Sequence, residues 1–390
     1  QVSPDATLDY YVRFDINGDT GDWLNLAGLH LGASAPSLIG GSGGGAGAGK
    51  VSFDAVQMTL GTSATVLALT EALAAGQKVD AQVEAYAPSS KGGVLVDEYQ
   101  FDTAFLAKLS TQASPDQTSN EVSLEFGKIT HTHLEQDATG KIGDSATVTY
   151  DVLKNTTNTS DVSATADAIK HLPTADAPVD AQLQYYVTYE GAPGWLELSG
   201  FSMDLSSPIT IGGATGGAGA GKVSLGETQL ELGMSNEIVQ LLANLAEGHS
   251  IKYLEVEAYS QGAKAPQLVD EYYFDTVFLN SLQTDGAANT LGIDAGKVSH
   301  GHVDYSPSGA VSGTSAEGWD FTANRSWTAP GAPDADAAKI VPLSQVSPDA
   351  TLDYYVRFDI NGDTGDWLNL AGLHLGASAP SLIGGSGGGA

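Results

Sequence analysis

Two histidine pairs stand out among the residues able to do chemistry, His131-Thr132-His133 and His300-Gly301-His302. Residues i and i+2 of a strand project to one face, so each pair could present two imidazoles to a single metal ion. A zinc site needs a third and a fourth ligand, and the chain has no cysteine and no neighbouring sequence cluster to supply them. The pairs therefore read either as part of a metal site completed by another subunit, or as polar residues packed on a strand. A metal held there would serve assembly, not catalysis. Asp15, Asn17 and Asp19 in "DINGDTGD" occupy the first three ligand positions of an EF-hand calcium loop, but position six is Thr20 where glycine belongs and position twelve is Leu26 where glutamate belongs. The other reading is a tight polar turn. Neither the calcium nor the zinc reading is complete, so the sequence implies no cofactor.

The stretch "GGAGAGKVS" occurs at Gly44–Ser52 and again at Gly216–Ser224. Its glycines and lysine match the phosphate-binding loop G-x-x-x-x-G-K-[ST], except that Val51 and Val223 replace the hydroxyl that would ligate Mg²⁺. The residues after Lys50 alternate as a strand, whereas a phosphate loop needs a helix N-terminus there. No G-x-S-x-G elbow is present and no nucleophile neighbours the histidines in sequence, so the chain reads as a non-enzyme.

The elements that position these residues come in repeats. Gln1–Ala46 recurs without a substitution at Gln345–Ala390, a repeat length of 344. A second, diverged repeat lies inside it. Leu8-Asp9-Tyr10-Tyr11-Val12 returns as Leu183-Gln184-Tyr185-Tyr186-Val187, Trp23-Leu24-Asn25-Leu26 as Trp195-Leu196-Glu197-Leu198, and Leu95-Val96-Asp97-Glu98-Tyr99 as Leu268-Val269-Asp270-Glu271-Tyr272. The expected organisation is a first domain at 1–154, a linker at 155–179, a second domain at 180–328, a linker at 329–349, and the truncated start of the next first domain at 350–390. Because the identical copy stops inside the glycine loop, the expectation is a window on a longer array of identical pairs.

Within one domain, 11–14, 23–31, 51–60, 80–86, 95–105, 122–133 and 146–153 read as strands. Residues 62–75 read as a helix, with Val66, Leu69 and Leu73 at helical spacing and Gly76 as a stop. The second domain repeats this with Ile238, Leu241, Leu245 and Gly248. One short helix among many strands argues a mainly β fold: a barrel, closed or nearly so, with a helix on its flank. Against 16 basic residues stand 47 acidic ones, giving a net charge of -31. Such a surface repels nucleic acid and anionic membranes, and no stretch is apolar enough to span a bilayer as a helix.

The order of these features resembles a known family. An aromatic pair in the opening strand, a glycine-rich loop followed by Lys-Val-Ser-Phe, one short helix ending in glycine, and the late strands "EVSLEFGKITHTH" and "ATVTYDVLKN" are similar to Hcp, the haemolysin-coregulated tube protein of type VI secretion. The second copy matches through "GAGKVSL", "DAGKVSHGH" and "EGWDFTANRSW". The resemblance implies two tandem β-barrels with flanking helices, no active site, and assembly with copies of the same protein into rings of six that stack as a tube. One barrel per chain and a longer loop after the first strand are the family habit, and this chain departs from both. The expected function is thus structural: a secreted or surface filament or tube of tandem Hcp-like barrels, extracellular and bacterial, whose partner is itself. The alternatives are a type VI tube component that passes effectors and the stalk of a repetitive adhesin.

Overall fold

The computed structural model describes residues 7–35, 37–39, 46–48, 51–89, 92–136, 142–163, 182–211, 218–260, 266–331, 333, 340, 342–360 and 363–379. Gly44, Gly45, Gly49 and Lys50 of the first glycine loop, residues 164–179 of the first expected linker, and residues 332, 334–339 and 341 of the second lie outside them. The chain divides into two compact units. Unit 1 comprises Gln1–Ser110, Ser119–Ala181 and Leu205–Ser224, and unit 2 comprises Thr111–Thr118, Gln182–Asp204 and Leu225–Ala390.

Unit 1 is built from β1 (Asp9–Ile16), β2 (Leu24–His30), β3 (Val56–Leu60), helix α1 (Ala64–Ala75), β4 (Val79–Ser89), β5 (Gly92–Ser114), β6 (Gln117–Gln136), β7 (Ile142–Asp151) and β8 (Thr156–Ser163). Among the described residues these strands pair antiparallel: β1 with β2 and β4, β4 with β5, β2 with β3, β3 with β6, β6 with β7 and β7 with β8. Alternation sends Val12 and Phe14 of β1, Leu24 and Leu26 of β2, Val56 and Met58 of β3 and Leu124 of β6 into one core. Strand β8 occupies part of the stretch expected to be a linker. Its Thr- and Ser-rich sequence has no apolar alternation to mark it, but its backbone groups complete the edge of β7.

Unit 2 repeats the plan with β9 (Leu183–Tyr189), β10 (Leu196–Ser206), β11 (Thr228–Leu232), α2 (Asn236–Glu247), β12 (Ile251–Ser260), β13 (Gln267–Asp285), β14 (Ala288–Tyr305) and β15 (Val311–Asp320). Its pairings run from β9 to β12, β13, β14, β11 and β10, and from β10 back to β9. A late strand, β16 (His374–Ser378), lies in the identical copy of the first domain's opening and pairs with the end of β13. Fold class is therefore mainly β, with one helix in each half among the described residues.

Both helices stop where the sequence says they should. Gly76 and Gly248 adopt left-handed φ of 63° and 68°, and their amides close the last turn onto Leu73 and Leu245 carbonyls. The strands β5 and β6 run far past the expected 95–105 and 122–133. Their added residues, such as Thr111, Ala113 and Thr118, are small, and they are buried although no hydrophobic run announces them.

Candidate functional site

The histidine pairs sit where the sequence places them, on β6 and β14, and i,i+2 spacing brings each pair to one face. The third partner comes from the neighbouring strand. In unit 1, His131 Nε2 lies 2.8 Å and His133 Nδ1 2.9 Å from the same oxygen, Asp97 Oδ1. In unit 2, His300 Nε2 and His302 Nδ1 stand 3.2 Å and 2.8 Å from Asp270 Oδ1. The register of β13 on β14 sets this directly, since Asp270 faces His302 and Tyr272 faces His300. Each cluster also carries a stacked ring: Tyr99 lies 4.3 Å from His131 with planes 7° apart, and Tyr272 lies 4.2 Å from His300 at 15°.

One carboxylate oxygen between two imidazole N–H donors is a charge-assisted arrangement. Burial alone would raise the Asp270 pKa, but the hydrogen bonds from His300 and His302 outweigh it and hold the carboxyl well below the usual carboxylate range. The same contest lowers Asp97. The clusters differ in access. Asp270 is 0% exposed with His300 at 2%, whereas His131 and His133 are 34% and 46% exposed. The donor set of two imidazoles and a carboxylate is one that zinc accepts. Here, however, the ring nitrogens point at the carboxylate oxygen instead of sharing a point between them.

A second constellation was not visible as a motif. Glu255 and Glu257 of β12 and Glu271 of β13 bring one carboxylate oxygen each within 4.8 Å of one another. Tyr259 donates to Glu257 at 2.8 Å. Burial, then the Glu257 charge, pushes Glu255 up to about 7. Unit 1 has Gln82, Glu84 and Glu98 at the matching positions. There Arg13 donates to Gln82 Oε1 at 2.6 Å, Gln82 donates to Glu98 at 2.6 Å, and Tyr86 donates to Glu84 at 2.6 Å. The signal for both sites was the repeated Asp-Glu-Tyr of β5 and β13: Asp and Tyr share the histidine face, and the Glu between them faces the other way.

Asp15 is engaged within its own turn. Gly18 N donates to Oδ1 at 2.6 Å and Thr20 Oγ1 to Oδ2 at 3.0 Å, while Asn17 takes the left-handed φ of 55° that such a turn requires. Asn17 and Asp19 are exposed beside it. The described parts of the glycine loops are short strands. Ala46–Ala48 pairs with Ser37–Ile39, Ala218–Ala220 pairs with Ile209–Ile211, and Ser52–Phe53 after Lys50 is also extended. That geometry does not offer a helix N-terminus to a phosphate.

Residues 17–133 match the family model described as "Type VI secretion system effector, Hcp". No curated protein matches the chain. Among solved structures, a type six secretion system protein is 21% identical with a TM-score of 0.35, covering 37% of this chain and 99% of its own. Hcp1 from Salmonella typhimurium is 17% identical with a TM-score of 0.30, covering 37% and 99%. Hcp3 from Pseudomonas aeruginosa is 12% identical with a TM-score of 0.25, covering 35% and 99%.

Proposed function

We propose, from the premise that the chain carries an Hcp-like domain over residues 17–133, that it is a non-catalytic structural protein. It assembles with copies of itself into a secreted or cell-surface filament or tube of tandem β-domains. The observation that carries this reading is the threefold use of one plan. The strand order of the first half returns in the second, and the opening of the first half returns again at Gln345–Ala390 without a substitution. A chain that repeats one structural unit end to end is built to propagate in one dimension. The net charge of -31 suits a surface that must stay soluble while it presents specific joints.

The family match favours a second reading, a component of a type VI secretion tube. Negative-stain electron microscopy of the purified chain over a range of concentrations tests both. Continuous threads sustain the filament, and stacked hollow rings of uniform bore favour the secretion tube. Particles that stay single and globular at every concentration remove self-assembly altogether.

A further inference from the structure

Three equivalent segments lie at or just beyond the end of the second strand of each repeat: Ala33-Ser34-Ala35, Leu205-Ser206-Ser207 and Ala377-Ser378-Ala379. Two of them make the same contact. Within unit 1, Ser207 N donates to the Ala107 carbonyl at 2.9 Å. Within unit 2, Ala379 N donates to the Asn280 carbonyl at 2.7 Å, and β16 continues that contact along Ser281–Asp285, ending with Gly286 N on the Leu373 carbonyl at 3.2 Å. Ala107 and Asn280 are themselves equivalent, each ten residues after the aspartate of its histidine cluster. The contact is thus one strand-addition joint used twice.

The hairpin that offers this edge also covers a cluster. The tip Thr111–Thr118 joining β5 to β6 belongs to unit 2, where Thr118 Oγ1 lies 2.8 Å from the hydroxyl of Tyr185, a residue facing Asp270. Thr111 and Thr118 are buried there, and so are Asp270, His300 and His302. In unit 1 the matching residues Tyr10, Asp97, Tyr99 and His131 are only half-buried, and His133, Ala33, Ser34 and Ala35 are exposed.

We infer that this half-open mouth of unit 1 and the adjoining edge Ala33–Ala35 form a docking surface for a second copy of the chain. The occupant is the hairpin tip Gln283–Asn289 between β13 and β14. The same hairpin's edge already holds Leu373–Ala379, whose sequence is that of Leu29–Ala35 letter for letter. The inference rests on the self-assembly reading above and names its joint: backbone pairing at the edge and a polar hairpin over the histidine–aspartate cluster.

The test uses the full chain, which lacks cysteine. One preparation carries Ser34→Cys. The other carries Ser281→Cys, whose partner within the chain is Ser378, together with Ala379→Pro, which removes the amide that seats the chain's own copy. Mixed and treated with a short bis-maleimide, the two should give a cross-linked dimer, several-fold more than when Ser281→Cys is tested without Ala379→Pro. In the same mixture, modification of His131 and His133 by diethyl pyrocarbonate should slow toward the rate of His300 and His302. An equal yield with Ser308→Cys in place of Ser281→Cys overturns the joint, because collision alone would then explain the product. Filaments or tubes without the cross-link or the protection overturn this joint and leave self-assembly standing. Chains that neither cross-link nor associate, with near-ultraviolet circular dichroism showing them folded, remove both.

Discussion

Asp97 with His131 and His133, and Asp270 with His300 and His302, are the same three-atom arrangement in two solvents. The first is reached by water and the second is sealed. Two features seal the second. Thr118 stands on Tyr185, and Pro333 lies over Gly301 so closely that a Cβ there would meet the proline ring at 3.0 Å. Unit 1 has Thr132 where unit 2 has Gly301. The comparison teaches that the chemistry of the cluster is set by its three side chains, while its energetic weight is set by what lies on top. A hydrogen bond to a carboxylate contributes little where water can replace the donor, and it is costly to lose once the carboxylate is buried.

The largest expected difference follows from removing the carboxylate. Asp270→Asn takes away the buried carboxylate to which both imidazole N–H groups donate and should cost about 1.5–3 kcal/mol. Asp97→Asn, in the wetter copy, should cost about 1 kcal/mol or less. Urea denaturation of each variant measures both, and equal losses would mean that burial does not separate the clusters. The pH dependence has a fixed sign. Both aspartates are depressed in the folded chain, so their contribution is in place above the unfolded carboxylate value of about 4 and is lost as pH falls through the folded values. Because the depression rests on the histidine hydrogen bonds, replacing His300 by Gln should shrink this acid-sensitive part of the stability curve.

Gly301→Thr copies the first cluster's residue into the second and forces Pro333 away. It should cost about 1–3 kcal/mol and speed diethyl pyrocarbonate modification of His300 and His302 toward that of His131 and His133. If stability falls while the histidines stay protected, something other than Pro333 does the sealing.

How much of this could be read from the residues is clear at particular positions. The histidine pairs, the helix stops at Gly76 and Gly248 and the apolar alternation of β1, β2 and β9 are local signals, and the structure uses them as local rules predict. Asp97 and Asp270 were hidden because their partners lie on another strand, more than thirty residues away in one case and thirty in the other, and register alone brings them together. The trio of Glu255, Glu257 and Glu271 was hidden in a crowd of 47 acidic residues. Strand β8 and the far ends of β5 and β6 were hidden for a different reason. They are small and polar, and they are held by backbone pairing or buried in unit 2, neither of which leaves a periodic apolar trace.

The outer faces sharpen the comparison at smaller cost. Glu255 is raised to about 7, chiefly by burial, so its ionisation opposes folding. An acid with a raised folded pKa leaves stability intact below its unfolded value, near 4.5, and withdraws it as pH climbs toward 7. Glu255→Gln installs the residue that unit 1 carries at Gln82. It should stabilise unit 2 by roughly 1–2 kcal/mol at pH 8 and by nearly nothing at pH 4. Thermal melts at the two pH values check this, and a gain of equal size at both would show that lost packing strain, not charge, was relieved.

The smallest expected effect concerns a shared backbone device. Thr103 and Thr276 both take left-handed φ, 54° and 57°, a conformation that costs a β-branched residue energy. Each is accommodated by a glycine on the neighbouring strand. A Cβ on Gly127 would stand 3.1 Å from Thr103 Cβ and 3.2 Å from Leu153 Cδ1, whereas one on Gly296 would meet only Thr276, at 3.3 Å for its Cβ, among side chains. Gly127→Ala therefore presses on two groups and Gly296→Ala on one that can shift by tenths of an ångström. The first should cost about 1–2 kcal/mol and the second under about 1. Reversal of that order in denaturation curves would mean that the wetter unit yields more easily than its packing suggests, and that the sealed mouth of unit 2 stiffens strands well away from the histidines.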